Sequence, residues 1–247
     1  MRGLLKLTSI ELKLFLREPM AAFFTLAFPL MMLVLFGTIY GNKPTSFLGG
    51  YGMVDISVPA YTAMIIGSSG LLGLSIAISS YRESGVLKRL KATPIRPHTI
   101  LGAQVTVTYV MTAAGMALLI LAGKAIYGLR FGGNPLSVFA GFTLSALSIF
   151  AIGFVLASVA PTARVAQVAG MVIFYPMIFL SGATIPRETL PESVRQYSQV
   201  LPLTHVVSLL RGLWAGGTWG DYSKEVIILV ALAVLSVIVS AKTFRWE

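Results

Sequence analysis

The longest uncharged stretch of the sequence is FGGNPLSVFAGFTLSALSIFAIGFVLASVAPTA, residues 131–163, in which 33 consecutive positions lack a charged side chain. About 20 apolar residues at about 1.5 Å per residue cross a hydrocarbon core of about 30 Å, so this stretch predicts a transmembrane helix. Five other uncharged runs occupy residues 19–42, 56–81, 99–123, 165–186 and 226–241. The pattern predicts an all-α integral membrane protein.

The composition agrees with this prediction, because 56% of the 247 residues are hydrophobic and only 11% are charged. Soluble domains average roughly 45–50% apolar and roughly 25% charged residues. We expect one transmembrane domain over residues 1–247, with spans at about 21–41, 59–80, 99–123, 136–158, 165–182 and 224–243. The last uncharged run has 16 residues and needs tilt or flanking lysines to span. The fifth span is expected to be interrupted at Tyr175-Pro176.

The net charge of +10 is mostly a topology signal rather than a sign of nucleic-acid binding. With both termini in the cytoplasm of a cell, twelve of the nineteen Lys and Arg residues lie on the inner side of its membrane, as the positive-inside rule requires. Residues 2–18 are either an amphipathic helix on that surface or a charged leader. Small residues of the second span favour close helix packing over substrate binding: Ser68, Ser69, Ser75, Ser79 and Ser80.

The segment before the last span is too short and too broken to cross the bilayer. Residues 196–210 carry no formal charge, but 15 residues reach only about 22 Å and Pro202 divides them. We therefore predict an external re-entrant segment over 184–212. The alternative, a seventh span, would place the C-terminus outside.

The sequence lacks the residues that several kinds of chemistry need. It has no P-loop motif, no cysteine and only two histidines, so it predicts no metal or cofactor bound by this chain. The span centres lack charged residues, which counts against a proton-driven carrier and favours amphiphilic cargo. A self-sufficient carrier or channel is the alternative; a membrane enzyme would need a polar catalytic cluster that is not evident. Any mechanical work requires energy from another protein.

A short basic segment, ESGVLKRLKATP at residues 83–94, follows the second span. Val86, Leu87 and Leu90 share one face of a helix predicted over 83–93, and Pro94 ends it. Two turns of helix are not stable alone in water, so this segment needs a surface. Both the membrane and a groove on a partner protein are suitable.

Two motifs carry a resemblance to a family. YRESGVLKRLKATPIRP, residues 81–97, resembles the segment after the second span in membrane subunits of type-2 ATP-binding-cassette (ABC) exporters, a family that includes daunorubicin-type drug-efflux permeases. FLSGATIPRETLPESVRQYSQVLPLTHVVSLLRGL, residues 179–213, is similar to the family's segment before the last span. The resemblance covers essentially the whole chain.

This resemblance implies a permease subunit that pairs with a second copy or a related permease and docks on two ABC ATPase subunits, which bind ATP and Mg. The residues after the second span would form the coupling helix on the ATPase: Glu83, Gly85, Val86, Leu87, Lys88, Arg89, Leu90, Lys91, Thr93 and Pro94. The re-entrant segment would contribute to an external gate through Ser181, Gly182, Pro186, Pro191, Pro202, His205 and Arg211. The expected cargo is a drug, antibiotic or lipid-like compound, and a polysaccharide or glycolipid exporter remains an alternative.

Overall fold

The computed structural model describes residues 23–86, 97–185, 187 and 190–243. The described residues form helices and contain no β-strand. After a π-helical turn at Phe23–Ala27 the helices are α1 (Phe28–Tyr40), α2 (Met53–Glu83), α3 (Pro97–Tyr127), α4 (Pro135–Val159), α5 (Ala163–Leu180), α6 (Glu192–Ser198), α7 (Pro202–Trp214) and α8 (Ser223–Thr243). The predicted 2–18 helix lies outside the described residues.

Five of the described helices are long and apolar enough to cross a membrane, namely α2, α3, α4, α5 and α8. A shorter apolar helix, Thr25–Tyr40, corresponds to the first predicted span. The last span lies at Ser223–Thr243, in agreement with the predicted 224–243. Helix α8 has 21 residues and reaches about 32 Å, because Lys224, Glu225 and Lys242 continue the helix beyond the uncharged run.

Helix α2 begins at Met53, six residues earlier than the predicted boundary at residue 59. The Asp55 carboxylate accepts a hydrogen bond from the Gly52 backbone N–H at 3.0 Å, which stabilises the first helical turn upstream of Pro59. Helix α5 runs without a break through Pro176, so the predicted interruption is also wrong. A proline removes only one backbone hydrogen bond, and a packed membrane helix tolerates that loss.

The centre of the bundle is α2. In an apolar 18-residue stretch of α2, 78% of the residues are buried, against 11% in the corresponding stretch of α8. A π-helical stretch at Ser69–Leu74 lies within α2, and there Gly153 of α4 approaches the Gly70 carbonyl so closely that a Cβ at 153 would collide with it. Ser68, Ser69, Ser75 and Ser79 are buried while Ser80 is exposed, which confirms the packing interpretation for four of these five serines.

Hydroxyl groups join several of the helices around this centre to one another. Ser148 of α4 donates to the Leu229 carbonyl of α8 at 2.9 Å, and the hydroxyls of Tyr109 (α3) and Thr143 (α4) are 2.7 Å apart. The Tyr127 hydroxyl of α3 donates to the Val34 carbonyl of α1 at 2.9 Å. Such bonds between helices help to fix their relative register.

Candidate functional sites at the two ends of the bundle

One end of the bundle carries the residues just before the predicted docking segment. Glu83 is the last residue of α2, so it belongs to the preceding span rather than to a separate helix that starts at residue 83. Gly85 has φ of 70°, the left-handed conformation that ends many helices, and Val86 follows it. The other predicted docking residues lie outside the described residues: Leu87, Lys88, Arg89, Leu90, Lys91, Thr93 and Pro94.

Arg82 and Glu83 connect the end of α2 to the turn between α4 and α5. The Arg82 guanidinium donates to the carbonyls of Ser158, at 3.4 Å, and of Ala160. The Glu83 carboxylate accepts from the Ala163 backbone N–H at 2.9 Å, at the N-terminus of α5, where a negative charge is favourable. We name these contacts the α2–turn link. The docking role predicted for Glu83 stays a prediction; within the chain, its carboxylate has the Ala163 N–H as a partner.

The α2–turn link extends to the last helix. The hydroxyl groups of Ser158 and Thr243 are 2.8 Å apart, which ties the end of α4 to the end of α8. The α4–α5 turn is itself ordered, because the Thr162 hydroxyl accepts from the Val165 N–H at 3.2 Å. Four helices, α2, α4, α5 and α8, therefore meet at this end of the bundle.

The opposite end carries α6 and α7, the two short helices of the predicted re-entrant segment. Pro191 precedes α6 and Pro202 is the first residue of α7, positions where a missing N–H costs little. The His205 imidazole is buried, and its Nε2 donates to the Gln199 carbonyl at 2.8 Å. This backbone bond is the structural role that a buried histidine commonly has. Helix α7 has 13 residues and reaches about 20 Å, which is too short for a seventh span.

The other predicted gate residues shape the chain between α5 and α7. The buried Ser181 hydroxyl accepts from the Ala183 N–H at 3.3 Å. Gly182 has φ of 89°, and the Arg187 side chain lies where a Cβ at 182 would be. Pro186 lies outside the described residues. Arg211 is on α7 and lines a cavity.

That cavity has a volume of about 420 Å³ and lies between the start of α2, the segment after α5 and helix α7. We name it the arginine pocket, after lining residues that combine positive charge with aromatic rings: Arg187, Arg195, Arg211, Tyr51, Trp214 and Tyr222. The Tyr222 ring lies against Gly212, where a Cβ would collide with it. Burial, and then the carboxylates of Asp221 and Glu225, raise the pKa of Tyr222, so its phenol is neutral and able to donate.

Sequence reasoning missed the role of Asp55, which lies between the first two predicted spans. Asp55 is 1% exposed and lines the arginine pocket. Besides the Gly52 N–H, its carboxylate accepts from Asn42 Nδ2 and from the Arg130 backbone N–H, both at 2.8 Å. The Asn42 side chain in turn accepts from the Asp55 N–H at 3.1 Å. One buried carboxylate thus joins the loop before α2, the start of α2 and the loop after α3.

Across the part of the chain that the structure describes, no group of three His, Cys, Asp or Glu residues is placed to hold a metal ion. The fold is that of a multi-pass membrane protein, with candidate polar sites at its two ends.

The family model for the ABC-2 type transporter matches residues 3–214. The chain belongs to the ABC-2 type transporter family, and the resemblance drawn from its two motifs is confirmed.

Curated relatives agree with this assignment. The chain is 23% identical to the inner membrane transport permease YhhJ of Escherichia coli over 83% of this chain and 53% of that protein. It is 25% identical to the probable multidrug ABC transporter permease YbhS of the same organism, over 76% of this chain and 48% of the relative. Nodulation protein J of Bradyrhizobium diazoefficiens is 27% identical over 93% of this chain and 84% of that protein. The chain spans about half the length of the two Escherichia coli relatives.

Proposed function

We propose that this chain is the membrane-spanning subunit of an ATP-driven ABC exporter that moves a hydrophobic or amphiphilic compound, such as a drug, antibiotic or lipid, out of the cytoplasm or inner leaflet. A separate ATPase subunit, present in two copies with their ATP and Mg, docks on the segment that begins at Glu83. A second copy or a related permease completes the transporter. Membership of the ABC-2 family, and one relative named as a probable multidrug permease, support this proposal.

The observation that carries the proposal is the α2–turn link. The docking segment starts where α2 ends, and at that point hydrogen bonds from Arg82 and to Glu83 reach the α4–α5 turn. A force applied to the segment by the closing ATPase acts on α2, α4 and α5 together rather than on one helix. Small local movements are amplified when packed elements move as rigid bodies.

The docking assignment is tested by co-purification with an ABC ATPase subunit expressed together with this chain, a neighbouring gene being the first place to look for one. Leu87→Asp or Leu90→Asp places a charge on the apolar face of the segment, and we expect association to be lost while the chain still inserts. Val200→Asp is the matched control, because Val200 is 82% exposed at the opposite end of the bundle. Full recovery of the ATPase with both Leu variants would refute the docking assignment.

The orientation is tested by cysteine labelling, for which the cysteine-free sequence is a ready background. We propose that both termini and the α2–turn link face the cytoplasm of the cell, and that α6 and α7 face outward. Ser46→Cys and Ser84→Cys place single thiols at exposed positions at the two ends. An impermeant maleimide added to intact cells should label residue 46, and residue 84 only after the membrane is opened. The reverse pattern would refute the orientation.

A further inference from the structure

We infer that the arginine pocket binds the negatively charged headgroup, phosphate or carboxylate, of an amphiphile whose apolar part lies along the pocket's aromatic wall. The inference rests on the proposed function only for its orientation, which places the pocket on the outer side. There an exported amphiphile leaves the transporter, and there the outer leaflet also presents its headgroups.

The charge of the described lining residues favours an anion. Among the residues that the structure describes, three arginines and one carboxylate, that of Asp55, line the cavity. The Asp55 oxygens accept from the Asn42 side chain and from two backbone N–H groups, so hydrogen bonds within the fold compensate this negative charge. Arginine presents five N–H donors in a planar fork that matches phosphate and carboxylate groups.

Two of the arginines are held at the pocket by contacts of their own. The Arg187 guanidinium donates to the Ser208 hydroxyl at 3.4 Å and to the Arg195 carbonyl at 3.3 Å, which keeps it beside α7. Arg195 forms an ion pair with Glu192 at 3.6 Å, but both side chains are well exposed, at 46% and 77%. Exposed pairs of this kind are weak, so an incoming anion competes with Glu192 at small cost.

The remaining wall distinguishes an amphiphile from a free anion. Tyr51, Trp214 and Tyr222 contribute aromatic surface, and Ile56, Pro59 and Val207 contribute aliphatic surface to the same cavity. Small-molecule sites of about 300–1,000 Å³ are mostly apolar with a few polar groups that orient the ligand, and a cavity of about 420 Å³ lies in this range. A free phosphate would leave the aromatic surface without a partner, whereas an alkyl chain would cover it.

The experiment measures binding to the purified full chain in nanodiscs of neutral phosphatidylcholine, with empty nanodiscs as the blank. Three probes are titrated by calorimetry: dodecyl phosphate, dodecyl maltoside and inorganic phosphate. The first carries both the charge and the chain, and each of the others lacks one of them. We expect dodecyl phosphate to bind at least about 10-fold more tightly than either of the other two.

The variants identify the pocket as the site. Arg211→Gln and Arg187→Gln should each weaken dodecyl phosphate binding by about 10-fold, and Arg211→Lys by less, because it keeps the charge but loses the fork. Arg130→Gln is the matched control: the Arg130 side chain is exposed at the same end and is not among the lining residues of the pocket, and the bonds of Arg130 to Asp55 and Trp214 come from its backbone. It should change binding by less than about 2-fold. Thermal unfolding of each variant verifies that it is folded.

Two results would overturn the inference: equal losses in Arg211→Gln and Arg130→Gln, which indicate diffuse surface charge, or inorganic phosphate binding as tightly as dodecyl phosphate. A repeat with phosphatidylglycerol in the nanodisc separates the two sources of the amphiphile. If phosphatidylglycerol competes with dodecyl phosphate in the wild type but not in Arg211→Gln, the amphiphile is a bilayer lipid. If phosphatidylglycerol does not compete in the wild type, the amphiphile is a delivered compound. Both results support the site. The binding assay needs no ATPase. A negative result in this assay therefore does not affect the docking assignment, and loss of the docking assignment does not affect the binding result.

Discussion

Asp55 should hold together the end of the bundle that bears the arginine pocket. Its buried carboxylate accepts three N–H groups, from Asn42, Gly52 and Arg130, at 2.8, 3.0 and 2.8 Å. Hydrogen bonds to charged groups contribute about 1.5–3 kcal/mol each, but two of these bonds are only partly buried, and water replaces part of what is lost. Asp55→Ala should therefore lower the free energy of unfolding by about 3–5 kcal/mol.

Asp55→Asn gives the graded comparison. It keeps one oxygen, which accepts from Asn42 and Arg130, but places an amide NH₂ group against the Gly52 N–H. One bond is lost, so the expected cost is about 1–3 kcal/mol. For chains of this size about 1 kcal/mol lowers Tm by about 2–4 °C, so Asp55→Ala should unfold about 6–20 °C below the wild type and Asp55→Asn between the two.

The assay is thermal unfolding in nanodiscs, followed by the loss of helical circular dichroism. The control is Asp221→Asn, at a carboxylate on the same side. Among the described residues its bonds come from Thr218, three positions away, and these bonds lower the pKa of Asp221 without joining distant segments. A Tm for Asp55→Ala within about 2 °C of the wild type would refute the reasoning. Equal losses for Asp55→Ala and Asp55→Asn would show that the charge matters, not the number of accepted bonds.

Two other predictions concern the helix contacts. Gly153→Ala should lower Tm, because the new Cβ meets the Gly70 carbonyl and must push α4 away from α2. The control is Gly102→Ala in α3, where a Cβ meets nothing within 4 Å, and it should leave Tm unchanged or raise it slightly. Equal effects of the two changes would contradict this packing. Arg82→Met keeps an unbranched apolar side chain but removes the guanidinium and its bonds to the α4–α5 turn. In the assembled transporter it should leave ATPase association intact while transport per ATP hydrolysed falls, and unchanged coupling would show that the α2–turn link does not carry the force.

The sequence predicted the overall fold well, because a membrane span is decided within one segment. The uncharged runs located the helices to within a few residues. The short helix α6 falls inside the predicted re-entrant region 184–212, and α7 begins inside it and ends two residues beyond it. The predicted start of α2 and the predicted break in α5 were wrong, because side-chain contacts and the surroundings of a proline decide these features. Asp55 starts α2 before Pro59, and α5 passes through Pro176, since neighbouring groups compensate for what a proline removes.

The candidate sites were predicted less completely. The sequence indicated Arg211 and His205 as residues of one segment, but the grouping of Arg187, Arg195 and Arg211 with the aromatic residues Tyr51 and Trp214 follows from the packing of distant segments. The partners of Glu83 had no sequence signal, because Ala163 is 80 residues away and contributes only a backbone N–H. The predicted docking residues from Leu87 onward stay a prediction.

By itself, the sequence determined that this is a multi-pass helical membrane protein of the ABC-2 type, because hydrophobic length and local motifs are properties of contiguous residues. The tertiary structure alone decided which polar groups meet. It buried Asp55 among three segments, tied Arg82 and Glu83 to the α4–α5 turn, and gathered three arginines around one cavity. The bonds of Asp55 to Arg130 and of Arg82 and Glu83 to the α4–α5 turn join residues about 75 or more positions apart and use backbone groups that every residue has, so no local pattern encodes them.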